Sequence, residues 1–257
     1  MNGSYDAQLV LLSVVVAMAA SYAALDLAGR VTSSRGRAAA LWLIGGAVAM
    51  GAGIWSMHFV AMLAFKLPIR LAYDPGLTAL SMLIAIVTSG FALAVVGRLA
   101  IVSATQVDPP ILVAGGVLMG AGICGMHYTG MAAMRMAPPI EYDPLLFAAS
   151  MVIAVTASFA ALWLAFTLRA AEAGRQLLFR AAAAAVMGLA IAGMHYTAMA
   201  AAIFDPASIC AVSSRFDVDN EQLARTIAVI VLSLLAIAVL ASVANARLAR
   251  AARAGTG

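Results

Sequence analysis

The stretch MGAGICGMHYTGM, Met119 to Met131, lies inside a long apolar run and sets a histidine where a membrane helix ordinarily carries leucine. The phrase occurs twice more, as MGAGIWSMHFVAM from Met50 to Met62 and MGLAIAGMHYTAM from Met187 to Met199, and the three copies hold all three histidines of the chain. A polar insertion repeated three times at one place in an apolar pattern points to one structural layer.

The surrounding chain is a membrane protein. Of its 257 residues 65% are hydrophobic and 10% charged, with a mean hydropathy of +1.03, whereas soluble domains carry roughly 25% charged residues. A hydrocarbon core ~30 Å thick needs about 20 helical residues to cross it. Seven stretches qualify: Gln8 to Leu27, Ala39 to Phe65, Leu77 to Arg98, Ile111 to Met134, Leu145 to Leu168, Phe179 to Phe204 and Leu223 to Ala246. The expected fold is therefore all-α and integral to the membrane, a single seven-helix domain over residues 1–257 with no separate soluble output domain.

Basic residues orient the bundle, because cytoplasmic loops hold an excess of Lys and Arg. Arg30, Arg35, Arg37, Arg98, Arg169, Arg175, Arg180, Arg247, Arg250 and Arg253 fall on one side, against Lys66, Arg70, Arg135, Arg215 and Arg225 on the other. Ten against five places the C-terminus in the cytoplasm and the N-terminus outside. No Lys or Arg precedes the first apolar run, so it reads as an uncleaved helix and not as a signal peptide. The formal charge of +4 reflects this orientation, and nothing in it points to nucleic acid.

The histidines recur at His58, His127 and His195, spaced by 69 and then 68 residues, and self-similarity at a fixed period marks a repeat architecture. Tyr5-Asp6, Tyr73-Asp74 and Tyr142-Asp143 recur with them, the last two followed by Pro75 and Pro144. Asp as N-cap with Pro at the first helical position is a helix-start signal. The segments SYAAL from Ser21, SGFAL from Ser89 and SFAAL from Ser158 align at the same period. The unit is a two-helix hairpin, in through an odd helix and out through an even one, over about 5–70, 73–138 and 142–204, with an extra helix over about 223–246. Units that share one orientation repeat about an axis along the membrane normal, which puts the three histidines at one depth. His58 precedes Lys66, and His127 precedes Arg135, by eight residues, so at about 1.5 Å per residue the layer lies ~12 Å inside the outer surface.

On a helix, residues four apart share a face, which pairs His58 with Met62, His127 with Met131 and His195 with Met199. A glycine two turns before each histidine, Gly51, Gly120 or Gly188, suits close helix approach, so this face is an interface. Met57, Met126 and Met194 precede the histidines directly, each seven residues after Met50, Met119 or Met187. Thioether together with imidazole favours copper, particularly Cu(I), whereas zinc asks for thiolate or carboxylate and magnesium for hard oxygen. Each feature also has a plainer account. Methionine fills irregular gaps in apolar cores, a single buried histidine is an ordinary core residue, and duplication copies a packing motif as readily as a ligand set. Cys124 lies within the fourth span and Cys210 in the last outer loop, so a disulfide between them is not expected.

The residues MHYT at Met126 to Thr129 and Met194 to Thr197, with MHFV at Met57 to Val60, resemble the MHYT domain family of bacterial integral-membrane sensors over essentially the whole chain. The resemblance implies a non-enzymatic sensor in the bacterial cytoplasmic membrane. Copper would be held by Met57, His58, Met126, His127, Met194 and His195, and would meet a diatomic gas such as oxygen, carbon monoxide or nitric oxide. The first copy departs from the pattern at Phe59 and Val60. Many proteins of that family join the bundle to a cytoplasmic cyclase, phosphodiesterase or kinase domain. This chain stops at Gly257, soon after the last apolar run, and a signal would pass to a separate cytoplasmic partner. Two other readings suit the same layer: copper transport or delivery, and a haem held between two histidines, which the methionine excess disfavours.

Overall fold

Each odd helix starts at its aspartate. Asp6 accepts hydrogen bonds on its side chain from the backbone N–H groups of Gln8 and Leu9, Asp74 from Leu77 at 2.7 Å and Asp143 from Leu146 at 2.9 Å, so three helices begin with the same cap. They are α1 (Ala7–Ser33), α3 (Pro75–Val102) and α5 (Pro144–Leu168). The even helices are α2 (Gly36–Ala64), α4 (Pro109–Ala132) and α6 (Ala173–Ala201). Only Ser34 and Arg35 separate α1 from α2. Gly36, at φ +57°, takes the left-handed conformation that this tight reversal needs. The computed structural model describes residues 3–102, 108–168, 173–210, 217–231 and 233.

These six helices are long and apolar enough to cross a membrane, and they pack into a closed ring in which each touches the next in sequence and α6 returns to α1. The odd helices also meet one another across the axis. Lipid offers no hydrophobic drive between helices, so close van der Waals contact must hold such a ring. The glycines supply it. A Cβ on Gly51 would lie 2.5 Å from Ile86 Cα, one on Gly120 2.7 Å from Val155 Cα and one on Gly188 2.7 Å from Met18 Cα. Each even helix thus rests its glycine on the backbone of the next odd helix, the last one closing on α1.

At one end of the bundle, called the rim, the chain switches to extended backbone. The N–H groups of Asp6, Asp74 and Asp143 donate to the carbonyls of Ala64, Ala133 and Ala201 at 2.9, 2.7 and 2.8 Å. Two-residue strands pair beside them: β1 (Ser4–Tyr5) with β2 (Phe65–Lys66), β3 (Ala72–Tyr73) with β8 (Val218–Asp219), β4 (Met136–Ala137) with β7 (Ile209–Cys210), and β5 (Glu141–Tyr142) with β6 (Ala202–Ile203). These pairings correct the expected ends of the even helices. α2, α4 and α6 stop at Ala64, Ala132 and Ala201, short of Phe65, Met134 and Phe204, because those last backbone groups bond to the start of the same unit's odd helix.

Residues 220–231 are also helical and begin the seventh helix. Its Leu223 and Ile227 are buried in a cluster with Trp55, Phe59 and Tyr73. The rest of the span expected to Ala246 lies outside the described residues. Ion pairs hold both ends. Lys66 bonds Asp6 at 2.8 Å, and its repeat equivalent Arg135 bonds Asp74. Opposite the rim, Asp26 pairs with Arg30 at 2.7 Å and Arg180 at 3.3 Å. Cys124 and Cys210 are both free.

Candidate metal centre

The three even helices bring His58, His127 and His195 together on the bundle axis. Their ring centroids lie 4.8 Å (His58 to His127), 5.1 Å (His58 to His195) and 5.0 Å (His127 to His195) apart, and neighbouring rings meet edge to face at 74° to 80°. Each ring in turn stands against the next aromatic on its own helix: Phe59, Tyr128 or Tyr196, at 4.8, 4.9 and 5.0 Å. Threefold repetition in the sequence has become threefold geometry at one depth.

All three imidazoles are at most 1% exposed, and their hydrogen bonding is incomplete. His58 Nδ1 and His195 Nδ1 are 3.1 Å apart, so one ring donates its N–H and the other, necessarily neutral, accepts. His58 Nε2, His195 Nε2 and both nitrogens of His127 have no partner. Buried polar atoms are normally satisfied, and an orphaned one costs ~1–3 kcal/mol. One donor nitrogen from each ring lies within 4.8 Å of the others, the grouping of a candidate metal site that small ring movements would close to bonding distance. The orphaned nitrogens, the spacing and the absence of any acidic side chain from the cluster fit an imidazole-bound metal ion.

The six methionines singled out from the sequence, Met57, Met62, Met126, Met131, Met194 and Met199, are all buried, none more than 3% exposed. Five of them divide between two hydrophobic clusters. Met194 lies in the core that also holds Met50, Met119 and Met187, whereas Met62, Met126, Met131 and Met199 share the rim-side core with Phe59 and Tyr73. The imidazoles converge as a set; five of the thioethers are divided between the two clusters.

Three serines hold this layer in place, and the repeat analysis passed over them. Ser13, Ser81 and Ser150 recur on α1, α3 and α5 and are fully buried. Each donates its one proton to a carbonyl in its own helix, Val10, Thr78 or Phe147, at 2.7 Å. The Tyr196 hydroxyl then donates to Ser13 at 2.8 Å and the Tyr128 hydroxyl to Ser150 at 2.7 Å. The tyrosines that follow His195 and His127 are thus tethered to the next odd helix, α6 to α1 and α4 to α5. Phe59 has no hydroxyl to offer Ser81, and the Trp55 indole N–H serves instead at 3.0 Å. The signal was available, since these serines recur at 68 and then 69 residues like the Tyr-Asp pairs.

Farther from the rim, Met50, Met119 and Met187 jointly line a small axial cavity of about 30 Å³ with Ser21 and Ser158. Ser89 lines an adjoining cavity with Met119 and Met126. The hydroxyls of Ser21, Ser89 and Ser158 are buried without a partner. This second layer carries the repeated serines of SYAAL, SGFAL and SFAAL.

Comparison with known proteins places this geometry in a family. The profile described as "Bacterial signalling protein N terminal repeat" (MHYT) matches residues 1–41, 51–106, 120–178 and 188–255. The chain is similar to the bifunctional diguanylate cyclase/cyclic di-GMP phosphodiesterase MucR of Pseudomonas aeruginosa, 55% identical over 90% of this chain and 33% of that protein. It is also similar to the cyclic di-GMP phosphodiesterase NbdA of the same organism, 42% identical over 79% of this chain and 25% of that protein. The signaling protein YkoW of Bacillus subtilis is 39% identical over 78% of this chain and 24% of that protein. The chain spans a third or less of the length of these relatives. No solved structure matches it.

Proposed function

The chain belongs to the MHYT family of bacterial signalling proteins, and from that membership we propose that it is a membrane sensor module whose buried histidine cluster holds copper. The carrying observation is the convergence of His58, His127 and His195, with unpartnered nitrogens on all three rings. Met57, Met62, Met126, Met131, Met194 and Met199, each next to or one helical turn after a histidine and all buried, offer soft donors, which favours Cu(I) over zinc or magnesium. Copper bound there would supply an open-shell or soft Lewis-acid centre for a diatomic gas or a redox change. The rim faces the outside of the cytoplasmic membrane, following the distribution of Lys and Arg. The signal passes to a cytoplasmic partner, and the names of MucR and NbdA favour cyclic di-GMP turnover as its chemistry.

A sensor needs two states that its ligand binds unequally. Ligation by all three imidazoles requires the lone pair that now accepts in the His58–His195 hydrogen bond, so occupied and unoccupied centres differ in that bond. Glycine-tight contacts couple a movement of any even helix to the next odd helix. Haem fits poorly. The three rings touch one another at 4.8–5.1 Å, which leaves no space for a macrocycle between any two.

The serine and methionine layer favours one second reading, copper transport or delivery, because it extends soft and polar groups along the axis beyond the histidines. Copper uptake into proteoliposomes with no response to gas would select it. The deciding measurement for the centre is metal content by mass spectrometry of detergent-purified protein after copper loading, wild type against H58A/H127A/H195A. Near-stoichiometric copper lost in the variant is expected. Equal copper in both, or none in either, would return the cluster to helix packing.

A further inference from the structure

The wall of the second copy differs from that of the first. Between α4, α5 and the rim lies a groove of about 690 Å³, lined among others by Cys124, Tyr128, Met131, Met134, Met136 and Met151. At the repeat-related positions the first copy has Trp55 and the third Ala192. Trp55 fills its site and packs in one cluster with Leu223 and Ile227 from the start of the seventh helix. Cys124 leaves the corresponding space in the second copy unfilled, where the groove lies.

The lining is unusual in its chemistry. One thiol and four thioethers face a cavity that no carboxylate lines, and its cation, Arg135, is engaged by Asp74 and Asp217. Such a donor set favours soft cations over hard ones. The groove also leads inward. Met131 is fully buried and four residues after His127 on α4, hence on the same helix face. Tyr128, at the groove wall, packs edge-on against His127 at 4.9 Å. His127 is the imidazole with neither nitrogen bonded.

We propose that this groove is a soft-cation site in its own right, holding Cu(I) on the sulfurs of Cys124, Met134, Met136 and Met151 and passing it by Met131 to His127. The passage rests on the copper reading of the histidine cluster; the groove site does not. The asymmetry has a use in this arrangement, since the second wall admits the ion while Trp55 keeps the first one packed.

The test uses the full chain in detergent with Cys210 replaced (C210S), so that Cys124 is the single thiol. Silver(I), a redox-inert stand-in for Cu(I), is titrated against labelling of Cys124 by a small methanethiosulfonate reagent. Labelling without silver shows that the groove is open. The near-isosteric variant M134L/M136L/M151L is expected to need at least tenfold more silver for the same protection, while its unlabelled fold is checked by thermal unfolding. The same shift is expected in the H58A/H127A/H195A background. Absence of labelling without silver, or equal silver demand with and without the three methionines, overturns the site. Protection that vanishes with the histidines while the methionines remain places the ion in the histidine cluster alone and also overturns it. Copper content of the histidine variant decides the centre separately.

Discussion

Trp55 Nε1 lies 3.0 Å from Ser81 Oγ, on the serine whose counterparts Ser13 and Ser150 receive tyrosine hydroxyls. A residue that breaks the repeat in sequence thereby preserves it in hydrogen bonding. Removing the indole with Trp55→Cys leaves Ser81 without its donor and opens a cavity, and costs about 3–5 kcal/mol by analogy with large-to-small core changes. Adding Phe59→Tyr recreates the Cys124 and Tyr128 pair of the second copy. Thermal unfolding in detergent is expected to rank wild type above W55C/F59Y, and the double variant above W55C. A double variant no better than W55C would mean that the hydroxyl does not find Ser81.

The glycine contacts separate packing from mere occurrence. Gly51→Ala drives a methyl group to 2.5 Å from Ile86 Cα, and Gly120→Ala and Gly188→Ala to 2.7 Å from Val155 and Met18 Cα. Backbone cannot swing aside as a flexible side chain can, so each change forces helices apart at a cost of about 1–3 kcal/mol or more. Gly45 and Gly193, with nothing within 4 Å, are the controls. Alanine there is expected to hold or raise the unfolding temperature, since Gly inside a helix costs ~1 kcal/mol relative to Ala.

The rim carries a pH dependence of its own. Burial pushes the phenols of Tyr5 and Tyr142 up to about 12, with smaller contributions from Tyr196 and Tyr128 respectively. A phenol whose folded value is raised favours folding fully below its unfolded value near 10, and that contribution is lost as pH climbs from about 10 through about 12. Wild type is therefore expected to lose stability over this window more steeply than Y5F/Y142F. Identical alkaline profiles would remove these two phenols from the account.

Duplication made much of this legible. Three copies of one phrase fixed the depth and common face of His58, His127 and His195, and the Asp-Pro starts marked α3 and α5 to within a residue or two. What escaped was whatever duplication did not preserve or periodicity does not show. Trp55 and Cys124 stand at one repeat position without sharing a residue type, and their roles are not periodic, because the first acts through an indole N–H on another helix and the second through the space it leaves. The strand pairs at Phe65 and Ala202 involve two residues each and leave no pattern in hydropathy, so the even helices read too long. Ser13, Ser81 and Ser150 were visible at the repeat period, but a serine in an apolar helix signals nothing until its partner is known.

His127 offers the sharpest separation of stability from function. His58 and His195 share a hydrogen bond at 3.1 Å, whereas both nitrogens of His127 are buried without a partner. In metal-free protein this ring therefore carries an uncompensated desolvation cost of about 1–3 kcal/mol. An apolar side chain of similar volume removes that cost. His127→Leu is expected to leave the metal-free unfolding temperature unchanged or raised, while His58→Leu and His195→Leu, which each orphan the other ring, lower it. Copper content should fall in all three, and the stabilisation by added copper seen in wild type should shrink with it, since a ligand stabilises only the state that binds it. A clear loss of metal-free stability in His127→Leu would show that the ring is satisfied and structural, and would remove the strongest physical reason for placing an ion beside it.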